Sequence, residues 1–197
     1  MKPLSLYLKR KSQTGSSMIE VLVTLVILML GLLGLVGLML QSQRSQQESY
    51  QRVQALVLLD DMANRISGNR AAAGCYVITT GNTGTPYLGN GTAIGAPACA
   101  LAGLTAGQQA RAVQDLKDWS DLLKGMTELD AAGKPVGVML GARGCIEAVT
   151  VGVYRISVVW QGGSMTFPPA AEVACATGLY GASEAERRAV SVNLNIS

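Results

Sequence analysis

The sequence predicts an α+β chain in which a long N-terminal helix packs on a small antiparallel sheet domain. Three observations lead there. Val21 to Leu40 carries no charged residue. An apolar repeat at intervals of three and four then continues as far as Ile66. Much later, the short β-branched stretches Cys145–Val151, Val153–Gln161 and Ala189–Ile196 are separated by glycine-bearing turns. A length of 197 residues accommodates one modest domain beside such a helix and leaves little room for a second.

The charge-free run is long enough for a bilayer. At roughly 1.5 Å per residue it matches a hydrocarbon core of about 30 Å. Thr24 is the one polar side chain inside it. Lys2, Lys9, Arg10 and Lys11 precede it and the next basic residue is Arg44, which orients the N-terminus toward the cytoplasm. A cleavable secretory signal would have an apolar core of about 7–15 residues ending at a small-residue site. Here the run is longer and continues into QSQRSQQESYQ, which offers no such site. An uncleaved single-span anchor satisfies the hydropathy equally.

Beyond the run, Tyr50, Val53, Leu56, Leu59, Ala63 and Ile66 mark an apolar face, with Gln47, Arg52, Asp60 and Asp61 between them. Gly68-Asn69 supplies a stop signal. One helix is thus apolar all round in its first half and amphipathic in its second. The expected segments are a leader at 1–15, a membrane half at 16–40, an amphipathic half at 41–68 and a head domain at 69–197.

Residues 69–107 are rich in Gly, Ala, Thr, Asn and Pro without sustained period and read as a long loop. A second helix is expected over Gln108–Met126, where Val113, Leu116, Trp119 or Ser120, Leu123 and Met126 keep helical spacing. The alternation Val190-Ser-Val-Asn-Leu-Asn-Ile196 predicts a sheet with one buried and one wet face. Trp119 and Trp160 are core candidates.

Composition excludes several functions. The chain has no histidine, so the commonest general base and metal ligand are missing. No Gly-x-Ser-x-Gly elbow supports a serine nucleophile. Asp115, Asp118 and Asp121 share one side of the second helix; a calcium site is the sharper reading and a solvated helix face the blander, preferred one. Asp60 and Asp61 diverge on a helix and make no catalytic dyad. No enzyme, cofactor or metal site is therefore expected. The formal charge of +3 belongs to residues 1–15, whose four basic residues have no acid beside them; without that stretch the charge is −1. No nucleic-acid partner is implied.

Cys75, Cys99, Cys145 and Cys175 form no C-x-x-C pair, which speaks against zinc or a thioredoxin-like motif. An even set of widely spaced cysteines beyond an apolar segment reads as two disulfides in an oxidising compartment; four free thiols in a reducing cytosol is the alternative. Spacing does not select among the three pairings. The expectation is Cys75–Cys99, closing the Gly/Thr-rich loop, and Cys145–Cys175, tying a strand to the loop before the last strand. Chain entropy assigns loops of that size roughly 3–4 kcal/mol each.

The stretch Thr14-Gly-Ser-Ser-Met-Ile-Glu-Val-Leu-Val23 is the most informative. It sets one carboxylate, Glu20, at the opening of a membrane helix, where an ionisable group costs on the order of a few kcal/mol and marks a functional site by default. The next turns of the helix supply no Lys or Arg. The expected partner is another chain or a newly created terminus.

This segment resembles the signal of type IV prepilins and pseudopilins. In that family a prepilin peptidase cuts after a glycine that follows a basic leader, and the fifth residue of the mature chain is a glutamate. The resemblance implies cleavage between Gly15 and Ser16, N-methylation of Ser16 by the same peptidase, and an assembly role for Glu20. Ser16 departs from the family pattern, which has Phe at the first mature position. Gly31, Gly34 and Gly37 read either as close-packing positions or, by the resemblance, as a stretch that unwinds on leaving the bilayer.

Looser likenesses at Asp61-Met-Ala-Asn-Arg65, Gly141-Ala-Arg-Gly-Cys-Ile146 and Tyr154-Arg-Ile-Ser-Val-Val-Trp-Gln-Gly162 resemble minor pilins of the PilV type. They imply a low-abundance type IV pilus subunit that acts in assembly initiation or at the tip. The implied partners are prepilin peptidase, major and minor pilins, the inner-membrane assembly platform and inner-membrane lipid. The implied path runs from a single-pass inner-membrane protein with a periplasmic head to the extracellular pilus. A minor pseudopilin of a type II secretion system and a single-span periplasmic binding protein are the alternatives.

Overall fold

The computed structural model describes residue 15 and residues 17–91, 98–126, 129–133 and 139–196. Ser16, the leader residues Lys2, Lys9, Arg10 and Lys11, and the rest of 1–14 lie outside the described residues. The architecture is α+β: a long N-terminal helix and a four-stranded antiparallel sheet, with a second helix between them in sequence. The chain divides into two compact units at Arg44/Ser45.

Helix α1 is Met18–Gly68. In the first unit, every large apolar side chain from Met18 to Leu40 is exposed, the least of them, Val26, at 47%. Leu, Val, Ile and Met on all sides leave no polar face, and this stretch is long and apolar enough to cross a membrane.

In the second unit the same helix obeys a different rule. Ala55, Leu59, Met62 and Ile66 are buried at spacings of four, three and four. The expected face is corrected here: Tyr50, Val53 and Leu56 are exposed, and Ala63 is only partly covered. The reason is geometric. Each step of three residues falls about 60° short of a full rotation, so a run of such steps from Tyr50 to Leu59 winds to the opposite side of the helix. Alternating threes and fours hold one line, and Ala55 to Ile66 follow it.

The segment after α1 is not the unstructured loop expected. It forms a 3-10 helix, Arg70–Tyr76, which buries Ala72, Ala73, Cys75 and Tyr76, and then strand β1, Leu88–Gly89. Both elements are too short to show a periodic signal. Helix α2 is Ala106–Leu123, two residues earlier at its start and three shorter at its end than the spacing suggested. A capping box sets the start: the Thr105 hydroxyl accepts from the Gln108 N–H and the Gln108 side chain accepts from the Thr105 N–H. Gly125, at φ +68°, ends the helix and leaves Met126 exposed. Ala112, Leu116, Trp119 and Leu123 form its buried stripe.

Strands β2 (Arg143–Thr150), β3 (Val153–Gln161) and β4 (Arg187–Asn195) follow, in the antiparallel order β1-β2-β3-β4. Ile146, Ile156, Val158 and Trp160 join the core built with α1 and α2. The expected wet face is also corrected. Cys145, Val159, Cys175, Ala176 and Tyr180 form a second buried cluster, so the middle of β2 and β3 is covered on both sides. Part of the covering comes from the β3–β4 connection around Cys175 to Tyr180, which no strand pattern announces. Gly144 is required where it stands: an added Cβ would lie 2.2 Å from the Trp119 ring.

Candidate functional site

The start of α1 is built by local chemistry. The Ser17 hydroxyl accepts from the Ile19 N–H at 3.2 Å, and the Ser17 carbonyl accepts from the N–H groups of Glu20 and Val21. These contacts satisfy donors that the first turn of a helix leaves without partners. Glu20 lies in that first turn, where the positive end of the helix dipole favours a carboxylate, and it is exposed. The charge-free run begins at the next residue.

Inside the run, the Thr24 hydroxyl donates to the Val21 carbonyl at 2.8 Å, so the polar group is satisfied within its own helix. Gly31, Gly34 and Gly37 are helical here, and no heavy atom approaches within 4 Å of where a Cβ would stand on any of them. Gly15 is equally open and exposed. An accessible glycine, a helix-opening glutamate and an uncovered apolar helix thus follow one another in the chain.

Residues 10–36 match the prokaryotic N-terminal methylation motif. This is a type IV pilin-like signal. The match takes in Gly15, Ser16, Glu20 and most of the apolar run, and stops short of the head domain. No curated protein and no solved structure matches the chain. The methylation motif implies processing by prepilin peptidase and assembly with other pilins. Together with the apolar N-terminal helix it fits anchoring in the inner membrane. The long helix and antiparallel sheet make a pilin-like architecture.

The head domain carries polar sites of its own. The structure joins Cys75 to Cys99 and Cys145 to Cys175, with Cα separations of 5.3 and 5.7 Å. The Arg65 guanidinium bonds Asp61 at 2.7 Å and Asp115 at 3.1 Å, and Asp118 lies at 3.8 Å. The Tyr76 hydroxyl donates to the other Asp115 oxygen at 2.6 Å, and the Asn69 amide donates to that hydroxyl and to the Gln108 carbonyl. Burial works against the Arg65 charge, but hydrogen bonds and charge from Asp61 and then Asp115 outweigh it and raise its pKa. Burial, reinforced by the hydrogen bond to Asp115, pushes the Tyr76 phenol up to about 12.

This cluster corrects the reading of the acidic row on α2. Asp115 is buried and, with Asp118, faces Arg65, whereas Asp121 pairs with Lys124 at 3.5 Å. The carboxylates are engaged by cations of the chain itself. Among the described residues no three acidic or cysteine side chains are placed to share a metal ion. The row is a clasp between α1, α2 and the 3-10 helix. Sequence spacing missed it because Arg65, Tyr76 and Asp115 are up to 50 residues apart.

Two further arrangements had no sequence signal. Arg143 lies over the rings of Tyr87 and Tyr180, at 5.3 and 4.9 Å. Its neighbour Tyr180 donates to the Gly141 carbonyl at 2.6 Å, and burial raises that phenol to about 12 as well. Glu147, buried on β2, pairs with Arg155 of β3 at 3.1 Å. Each holds loops against the sheet.

Proposed function

We propose that this chain is a minor pilin of a type IV pilus, of the PilV type, acting in assembly initiation or at the filament tip. The observation that carries the reading is the order within the methylation motif: Gly15, then Glu20 as the fifth residue after it, then an apolar helix with no polar face. Prepilin peptidase cuts between Gly15 and Ser16 and methylates the new terminus at Ser16. The precursor sits in the inner membrane with its N-terminus cytoplasmic and its head periplasmic.

In the filament, the apolar half of α1 exchanges lipid for neighbouring subunits. The Glu20 carboxylate then meets the α-ammonium of an adjacent subunit's Ser16 in apolar surroundings. Such a pair is strong because the dielectric is low, and breaking it leaves one desolvated charge uncompensated. It therefore fixes the axial register of the incoming subunit. The likenesses at residues 61–65, 141–146 and 154–162 support the PilV type.

Intact mass and N-terminal sequencing of membrane-extracted protein test the reading directly. The mature chain begins at Ser16, one methyl group heavier than the unmodified sequence. A chain beginning near residue 41, or an intact Met1 in cells with active peptidase, overturns it. Immunogold against the head marks one end of sheared filaments; uniform labelling along them refutes the tip assignment.

A further inference from the structure

The two edges of the sheet are finished differently. At one, β1 is only Leu88–Gly89; both residues are buried, and the Gly89 N–H donates to the Ser120 hydroxyl of α2 at 3.3 Å. That edge is short and capped. At the other, β4 runs from Arg187 to Asn195 in unbroken register with β3, whereas the β2–β3 pairing shifts between Ala148 and Thr150. The stretch Ala189-Val-Ser-Val-Asn-Leu-Asn-Ile196 contains no charge, proline or glycine. Proteins blunt an exposed edge with charges, proline, bulges or a short strand, and β4 has none of these there.

The hydrogen bonds at the two ends of β4 show which backbone groups are free. The Gly162 N–H donates to the Glu186 carbonyl just before the strand, and the Ile196 N–H donates to the Gly152 carbonyl just after it. In an antiparallel pair, the residues that bond a given neighbour alternate along the strand. The backbones of Arg188, Val190, Val192 and Leu194 therefore face β3, and those of Ala189, Ser191 and Asn193 face away from it. The N–H and C=O groups of these last three have no hydrogen-bond partner among the described residues. Ser191, Val192 and Asn193 are all exposed, so the row is open to solvent.

A row of alternating donors and acceptors at strand spacing is matched by another extended backbone. The side chains beside the row set the pattern of that strand. Val190, Leu194 and Ile196 pack on the core and Val192 shares their face, whereas Ser191 and Asn193 project from the opposite one. A strand laid beside β4 thus places apolar side chains next to Val192 and uncharged polar ones next to Ser191 and Asn193. A second copy anchored in the same membrane does not meet this geometry. Joining two β4 edges antiparallel requires a two-fold axis through the sheet, which turns the α1 segments packed on it head to tail.

We infer that β4 is a docking edge, which takes an extended segment of another protein as an added antiparallel strand with alternating apolar and uncharged polar residues. Every pairing already in the sheet is antiparallel. The inference goes beyond the pilin reading, and its test involves no filament. The full-length chain in neutral detergent is titrated with a labelled peptide of alternating threonine and valine flanked by lysines, N-methylated either at its valines or at its threonines. In an antiparallel partner, the residues that bond β4 carry their side chains on the Ser191 face, so they are the threonines. The valine-methylated peptide binds about tenfold or more tightly than the threonine-methylated one. Ser191→Pro removes an N–H that β3 does not use and brings the first peptide down to the level of the second. Val192→Lys, which sets a charge beside the added strand, does the same. Where thermal melting shows that Ser191→Pro unfolds the head, Val192→Lys decides. Equal binding of the two peptides, the reverse preference, a preference that survives in the folded variant, or no binding at millimolar peptide overturns the inference. So does a dimer of the peptide-free chain that Val192→Lys dissolves, because β4 then belongs to a second copy.

Discussion

Within α1, residues 18–40 and residues 55–66 are both helix, yet the first stretch is covered by nothing in its own unit, while the second buries the line Ala55, Leu59, Met62 and Ile66 in its own. The difference lies in pattern. A helix apolar on every side needs an apolar surrounding, which its own chain does not supply. A helix with a single apolar line needs only one packed surface, and the head supplies it through Trp119, Tyr76 and Leu116. Trp119 even donates to the Leu58 carbonyl at 2.9 Å, fastening α2 to that line. The same secondary structure thus serves assembly in one stretch and folding in the other.

The strongest way to break this comparison is Glu20→Ala. If the first stretch serves assembly, the variant inserts in the membrane and keeps a folded head, while its level in sheared pili falls by about an order of magnitude or more. Wild-type levels in sheared pili, or a lost head, contradict the division of labour. Quantitative immunoblotting of the sheared fraction and thermal melting of the detergent-solubilised protein read the two effects separately.

A matched pair of glycine substitutions sharpens the contrast. Gly144→Ala drives a methyl into the Trp119 ring and Leu123, and lowers head stability by about 1–3 kcal/mol in denaturant titration. Gly34→Ala meets nothing within 4 Å and leaves the head midpoint unchanged. A shared response would mean that the two stretches unfold as one.

Alkaline pH should act on the head alone. Tyr76 and Tyr180 are held protonated, each raised from 10.0 to about 12. A raised folded-state pKa gives stability that is complete below the ordinary value and is lost as pH climbs through the folded one. Melting temperature should therefore hold to about pH 10 and fall between pH 10 and 12, and Tyr180→Phe should make that fall shallower. A decline already complete below pH 10 would show that these phenols do not govern it.

The smallest effect is expected where the apolar repeat misled. Tyr50 and Val53 are exposed, so Tyr50→Ser and Val53→Ser should move head stability by no more than about 0.5 kcal/mol. Leu59→Ala, on the buried line, should cost about 2–5 kcal/mol in the same titration. Similar costs at all three positions would restore the face first read from the sequence.

What the sequence by itself determined is everything set by neighbours in the chain. The apolar run, Glu20 at its head, the basic residues before Gly15, the second helix and the three long strands are written in consecutive or near-consecutive residues, and short-range sterics and hydropathy suffice to find them. Only the tertiary structure decided which line of α1 is buried, that Asp115 answers Arg65 and Tyr76, and that the β3–β4 connection covers the outer face of the sheet. It alone decided that Arg188 is spent on Glu48. These outcomes depend on residues up to 140 positions apart meeting in space. Burial and ion pairing are properties of that meeting, and no local pattern carries them.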